Sequence, residues 1–236
     1  MLNFLEKSGY SKDQIVNTGP LIYKKFDTSK ERIKELKKNI LKENCDKKII
    51  LHAGTPKVRG SNRLYVYETT DEYIQNINDM ISVIEKKKNI FFAIKFREEM
   101  AFKNSPRLAF KDFEKLIKKS DCCKIFHDGN FSDFLSVSDL MISYSSTTID
   151  EALYNRVPIL LYDPHKKYSH IKASTVMPNM QNPEDGIFYC SELNGFDLAI
   201  DEILKNKEII QKNDIIWKKH IMEENKNKEW LSYLVK

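Results

Sequence analysis

A chain of 236 residues, 41% hydrophobic and 11% aromatic, is long enough to bury one α/β core, and one domain is the working count. Its formal charge of +5, from 39 Lys and Arg against 34 Asp and Glu, is a mild excess spread along the chain, with runs such as Lys37-Lys38 and Lys86-Lys87-Lys88 that suit solvated helix faces, so a nucleic-acid surface is not implied. With 7 Gly and 7 Pro the sequence is neither collagenous nor of low complexity, and its 4 cysteines (Cys45, Cys122, Cys123, Cys190) have neither metal-ligand spacing nor the density of a disulfide scaffold.

Residues 1–28, with Gly9, Gly19 and Pro20 around the short apolar stretch Gln14–Thr18, suit a connection between domains, and the main domain is expected over 29–236. Ser29 precedes a helix to about Lys42, with Ile33, Leu36, Ile40 and Leu41 at helical spacing. From Lys48 short apolar runs alternate with amphipathic stretches. The expected order is strand Ile49–Ala53, helix near Asp71–Lys87, strand Ile90–Ile94, helix near Phe110–Lys118, strand Lys124–His127 and a short helix near Phe131–Ser136. Strand Leu140–Ser143, helix Thr148–Tyr154 and strand Val157–Tyr162 follow, then helices near Asp197–Lys205, Glu208–His220 and Lys228–Val235. Strands apolar on both faces and alternating with helices predict an α/β fold, a three-layer, Rossmann-like parallel sheet with C-terminal helices. The longest apolar runs are strand-sized and Met1 is followed by Asn3, Glu6 and Lys7, so neither a span nor an export signal is expected. The cytoplasm is the expected setting, at most at the inner face of the membrane, where a basic excess is weakly attracted to anionic lipid.

Doubly wound sheets bind ligands at the carboxyl ends of their strands, which directs attention to the loops starting at Gly54, Lys95, His127, Tyr144 and Asp163. The most informative stretch is Ser138-Asp139-Leu140-Met141-Ile142-Ser143-Tyr144-Ser145-Ser146-Thr147-Thr148-Ile149-Asp150-Glu151, then Ala152-Leu153 and Asn155-Arg156-Val157-Pro158-Ile159-Leu160. A buried strand here delivers hydroxyl residues to a helix start, where free N–H groups and the dipole favour phosphate. Glu151, six residues beyond Ser145, is placed to accept hydrogen bonds from the two hydroxyls of a ribose. The structural alternative is that Ser146 or Thr147 is only an N-cap, with Asp150 or Glu151 completing a capping box.

These residues resemble the C-terminal domain signature of GT-B glycosyltransferases of capsule and teichoic-acid type, with the UDP-sugar 2-epimerases as relatives that carry a similar turn. The resemblance implies one GT-B half, in which Ser145, Ser146 and Thr147 meet a diphosphate and Glu151 meets the ribose. "IVNTGPLIY" resembles the entry into that domain, "KKIILHAGT" its first strand and glycine loop, and "FFAIKFRE" the strand that usually ends in "IKPH". Phe96 and Arg97 stand where Pro and His are usual, so an imidazole role is lost there and Arg97 is the substitute cation. The general base that the family takes from its N-terminal domain has no candidate in residues 1–28, and no catalytic residue is assigned.

Further candidates flank this turn. Gly54 and Thr55 would let backbone approach a phosphate, and Lys57, Arg59 and Arg63 make the next loop basic, or simply solvated. Lys95 and Arg97 alternate at a strand end and point the same way toward an anion, unless they pair with Glu98 or Glu99. His127 ends a strand where its loop can read a nucleobase edge, His165 and His170 follow the last strand at a place suited to a sugar or acceptor, and His52, inside a strand, reads as a packed core residue. No HExxH, paired-Cys or acidic cluster argues for a metal, and no cofactor is expected beyond a nucleotide-activated sugar as substrate.

The expectation is therefore the donor-binding domain of a glycosyltransferase, or polyol-phosphate transferase, of bacterial surface polysaccharide synthesis. Its partners would be a nucleotide sugar, a saccharide or lipid-linked acceptor and an N-terminal GT-B domain outside this chain. A sugar-nucleotide 2-epimerase half and a non-catalytic nucleotide-binding domain are the alternatives. The terminal helices, with Trp217, Trp230, Leu231 and Leu234, are expected to pack back on this domain or on its partner.

Overall fold

Ile49, Ile50 and Leu51 have no exposed surface, because the strand that carries them, β1 (Lys48–Ala53), lies inside a parallel sheet covered on both sides. The computed structural model describes residues 7–11, 14, 25–41, 46–54, 68–96, 114–143, 147–167 and 171–220. In these, the strands β2 (Ile90–Lys95), β3 (Cys123–Phe126), β4 (Leu140–Ser143), β5 (Ile159–Tyr162), β6 (Ser174–Thr175) and β7 (Ile187–Cys190) join β1 in the order β3-β2-β1-β4-β5-β7-β6. Every pairing among them is parallel; Ile50 stands opposite Phe92 on one side and Leu140 on the other.

Helices α1 (Lys30–Leu41), α2 (Thr70–Ile84), α3 (Phe131–Ser136), α4 (Thr148–Tyr154), α5 (Leu193–Lys212) and α6 (Asp214–Lys218) cover the sheet. The crossover through α2 moves the chain from β1 toward the β3 edge, whereas α4 carries it from β4 toward β5. Right-handed crossovers therefore place α2 and α4 on opposite faces. α2 starts on a capping box: Glu72 N–H donates to Thr69 Oγ1 at 3.2 Å, and Thr69 N–H to Glu72 Oε2 at 2.7 Å. Tyr73, Ile77, Met80, Ile81 and Ile84 then form its buried face, each worth about 1.5–3 kcal/mol if taken from full exposure.

α5 packs beside α2 and crosses under the amino ends of β1 and β4. Lys48 Nζ donates to Leu204 O at 3.2 Å, and the Asp139 carboxylate accepts both the Ile49 N–H, at 2.7 Å, and Lys207 Nζ. One acid thus fixes the relative register of β1, β4 and α5.

The fold class agrees with the expected one, and α3, β4 and α4 have the expected bounds. Three details differ. α5 runs unbroken through Asn206, whose buried side chain donates to Met180 O at 2.8 Å and Glu202 O at 2.9 Å. The break falls instead at Asn213, which caps α6 by accepting the Ile215 N–H at 3.0 Å. β5 begins at Ile159, after Pro158, which has no N–H for a ladder. β6 and β7 were not anticipated: β7 is short and partly aromatic, and Ile187-Phe188-Tyr189-Cys190 lacks the flanking periodicity that marks the other strands.

Trp217 packs back on this domain as expected, buried against Gly186, where an added Cβ would lie 2.7 Å from the indole ring. Its Nε1–H donates to Ile210 O at 2.8 Å. Trp230, Leu231 and Leu234, with the expected helix near Lys228–Val235, lie outside the described residues, as do Ile15–Thr18 of the connection.

Candidate functional site

The chain winds away from β1 toward β3 and away from β4 toward β6, so the carboxyl ends of β1 and β4 open the crevice in which such sheets take their ligands. Gly54 leaves β1 at that edge. Its N–H donates to Lys95 O at 2.9 Å, and an added Cβ would lie 2.6 Å from Phe96 Cδ1 and 2.9 Å from the Lys95 carbonyl. The glycine is thus required by the close approach of β2 itself, and the ring of Phe96, 1% exposed, fills the space that a side chain at Gly54 would need. Lys95 is also buried; its Nζ donates to Phe96 O at 2.6 Å and stands 5.8 Å from the centre of the Phe134 ring.

Phe134 links this corner to the loop after β3. Gly129 holds a φ of +82°, the left-handed conformation that glycine adopts without cost, and an added Cβ there would meet Phe134 at 3.3 Å. The turn sends the chain from His127 into α3, whose N-cap Asn130 accepts the Ser132 N–H at 3.1 Å. Ser132 then faces α4, and its hydroxyl donates to Glu151 Oε1. This pair joins the loop after β3 to the helix after β4 across the edge of the sheet.

α4 carries Glu151 in its first turns, beside Asp150, whose carboxyl burial pushes above its usual range. Thr147, at the N-cap position, has helical angles (φ −60°, ψ −14°) and makes no side-chain cap hydrogen bond. A capping box from Thr147 to Asp150 or Glu151 is therefore not what holds Glu151. The C-terminal end of α4 is held by Lys25 and Phe26, from the segment before α1. Lys25 Nζ donates to Tyr154 O and lies 4.0 Å from the centre of the Tyr154 ring, while the Phe26 N–H donates to Asn155 Oδ1 at 3.0 Å.

On the α2 side, His52 is packed as expected, 3% exposed, with its Nε2 3.1 Å from the Tyr73 hydroxyl. The loop after β5 is tied to the start of α2, where Lys167 Nζ lies 3.0 Å and His165 Nδ1 3.7 Å from Glu72 Oε1. The Thr69 N–H, opposed by burial and helped by Lys167, holds the Glu72 carboxyl down at about 2.

Of the candidate residues, Gly54, Lys95, His127, Thr147 and Glu151 all stand at the carboxyl edge of the sheet. Thr55, Arg97, Ser145, Ser146 and His170, with the basic loop of Lys57, Arg59 and Arg63, lie outside the described residues. Ser132 was not singled out from the sequence, although Asn130 before an apolar Phe131 signals the start of a helix at this edge. Among the described residues no group of three or more His, Cys, Asp or Glu is placed to hold a metal ion, and no helix is long and apolar enough to cross a membrane.

No family model and no curated protein matches the sequence. The fold does match solved structures. A variant of the wall teichoic acid polymerase TagF superposes with a TM-score of 0.52 at 13% identity, over 88% of this chain and 47% of that one. A UDP-N-acetylglucosamine 2-epimerase from Listeria monocytogenes, described as putative, gives 0.55 at 15% identity, over 99% of this chain and 55% of that one. A UDP-GlcNAc 2-epimerase from Neisseria meningitidis, bound to UDP-GlcNAc, gives 0.53 at 14%, over 99% and 57%. The α/β, Rossmann-like fold is shared with these structures, and the chain spans about half their length.

Proposed function

We propose that this chain is the donor-binding half of a two-domain GT-B glycosyltransferase, or polyol-phosphate transferase, that builds a bacterial surface polysaccharide. The observation that carries the reading is the Ser132–Glu151 pair at the carboxyl edge of a doubly wound sheet. A carboxylate held there by a neighbouring hydroxyl on one oxygen keeps lone pairs for the vicinal hydroxyls of a ribose. In this reading His127 and the turn at Gly129 meet the base, and Ser145, Ser146 and Thr147 meet the diphosphate.

In this reading the reaction is transfer of a sugar or polyol phosphate to a saccharide or lipid-linked acceptor, with the departing nucleotide stabilised by the loop amides and by Lys95 or Arg97. The base and the acceptor site belong to an N-terminal GT-B domain, and the assembly works in the cytoplasm. Calorimetric titration with UDP, CDP and CMP tests the site, and product analysis with radiolabelled nucleotide sugars tests the reaction. Binding by the chain alone with transfer only when an N-terminal domain is supplied is the expected result. An epimerised nucleotide sugar would assign the chain to the 2-epimerases instead, and failure to bind any of the nucleotides would overturn the reading.

A further inference from the structure

Ser143 ends β4 at the switch between β1 and β4. It is 1% exposed, and its Oγ has no hydrogen-bond partner among the described residues. A hydroxyl removed from water without a partner destabilises the fold relative to an apolar side chain of similar size, and buried polar groups are almost always satisfied. Ser143 also lines a cavity of about 10 Å³. Polar groups reach the cavity from His52 of β1, Tyr73 and Asn76 of α2, and Glu68 of the segment just before α2, while Met80 and Ile142 supply apolar wall.

These wall groups are already organised among themselves: the His52 ring pairs with the Tyr73 hydroxyl, and Asn76 Nδ2 donates to the Glu68 carboxylate. The volume admits one water, which needs about 10–15 Å³ and two to four polar partners, and it is too small for a phosphate or a sugar. We infer that this cavity is a built binding site for a single ordered water, which takes a hydrogen bond with Ser143 Oγ and bridges it to the polar row of His52, Tyr73 and Glu68. The water joins the last residue of β4 to the start of α2 across the β1–β4 boundary, so the carboxyl end of β4 is anchored from beneath. The inference stands independently of the reading of the protein as a transferase.

Two measurements on the full chain test it, a high-resolution crystal structure and the thermal melting of Ser143→Ala. The expected results are a density peak about 2.7–3.2 Å from Ser143 Oγ, within reach of at least one of the other wall groups, and a lower Tm for Ser143→Ala. The sign of the second is diagnostic, because deleting a hydroxyl that truly lacked a partner would leave the Tm unchanged or raise it. A dry cavity overturns the inference, and so does a Ser143→Ala protein that melts at or above the wild-type temperature.

Discussion

Asn155 joins the segment before α1 to the helix that carries the candidate ribose ligand: its Oδ1 accepts the Phe26 N–H at 3.0 Å, and its Nδ2 donates to Glu151 O at 3.1 Å. One amide thus closes the last turn of α4 and docks the segment at Phe26 on it. Asn155→Ala removes both bonds and should cost about 1–3 kcal/mol, read as a lower urea midpoint. Asn155→Asp keeps an acceptor for Phe26 and loses only the donor, so a midpoint between the two is expected. Equal stability of all three proteins would mean that the segment at Phe26 is not held by this residue.

Gly54→Ala places a methyl group 2.6 Å from the Phe96 ring and 2.9 Å from the Lys95 carbonyl. Overpacking of this kind typically costs about 1–3 kcal/mol. Gly54→Ala combined with Phe96→Leu should recover part of that loss, because the ring clash is relieved and the carbonyl clash is not. A double-mutant cycle in urea measures the coupling; strict additivity would show that ring and glycine do not constrain each other.

Glu72 gives the fold an acid-sensitive contact. Its carboxyl is held at about 2, against an ordinary value of 4.5, chiefly by the Thr69 N–H and then by Lys167, with burial opposing them. A depressed carboxyl contributes stability that is fully present above its unfolded value and is lost as pH falls through the folded one. The stability gap between wild type and Glu72→Gln should therefore be constant near neutrality and shrink as pH falls from about 4.5 toward 2. Denaturant titrations across that range check it, and a gap that does not narrow would place the partners of Glu72 elsewhere.

What the sequence disclosed follows from which signals are local. α3 and α4 are bounded by residues beside them in the chain, Asn130 at one start and Asn155 at the other end, and β1, β2 and β4 are apolar on both faces because they are covered on both. Their alternation with helices predicts a parallel sheet, whereas the order β3-β2-β1-β4-β5 is set by tertiary packing and is seen only in the structure. β7 is no shorter than β4, which is legible, but its Ile187-Phe188-Tyr189-Cys190 run lacks the flanking periodicity that marks the other strands. The Ser132–Glu151 pair escaped for another reason: the residues are 19 apart, and they meet only because β4 inserts beside β1 and brings α4 next to α3. The glycine at position 54 was read for a ligand, and its nearest constraint is the Phe96 ring, a contact between neighbouring strands that no spacing along the chain reports.

The same pair supplies the sharpest test of the site. If Glu151 meets a ribose, Glu151→Gln keeps its shape, weakens charge-assisted hydrogen bonds and should lose roughly 1.5–3 kcal/mol, about 10- to 150-fold in affinity for UDP or CDP. Ser132→Ala leaves the carboxylate charged and frees its rotamer, so the expected loss is smaller, about 3- to 10-fold, from lost preorganisation. A purely structural pair behaves in the opposite way: both changes would lower the melting temperature and leave nucleotide affinity untouched. Calorimetric titrations run beside melting curves separate the two, and the ranking of the variants adds a second check. A greater loss of affinity for Ser132→Ala than for Glu151→Gln would mean that the hydroxyl, and not the carboxylate, is the group that meets the ligand.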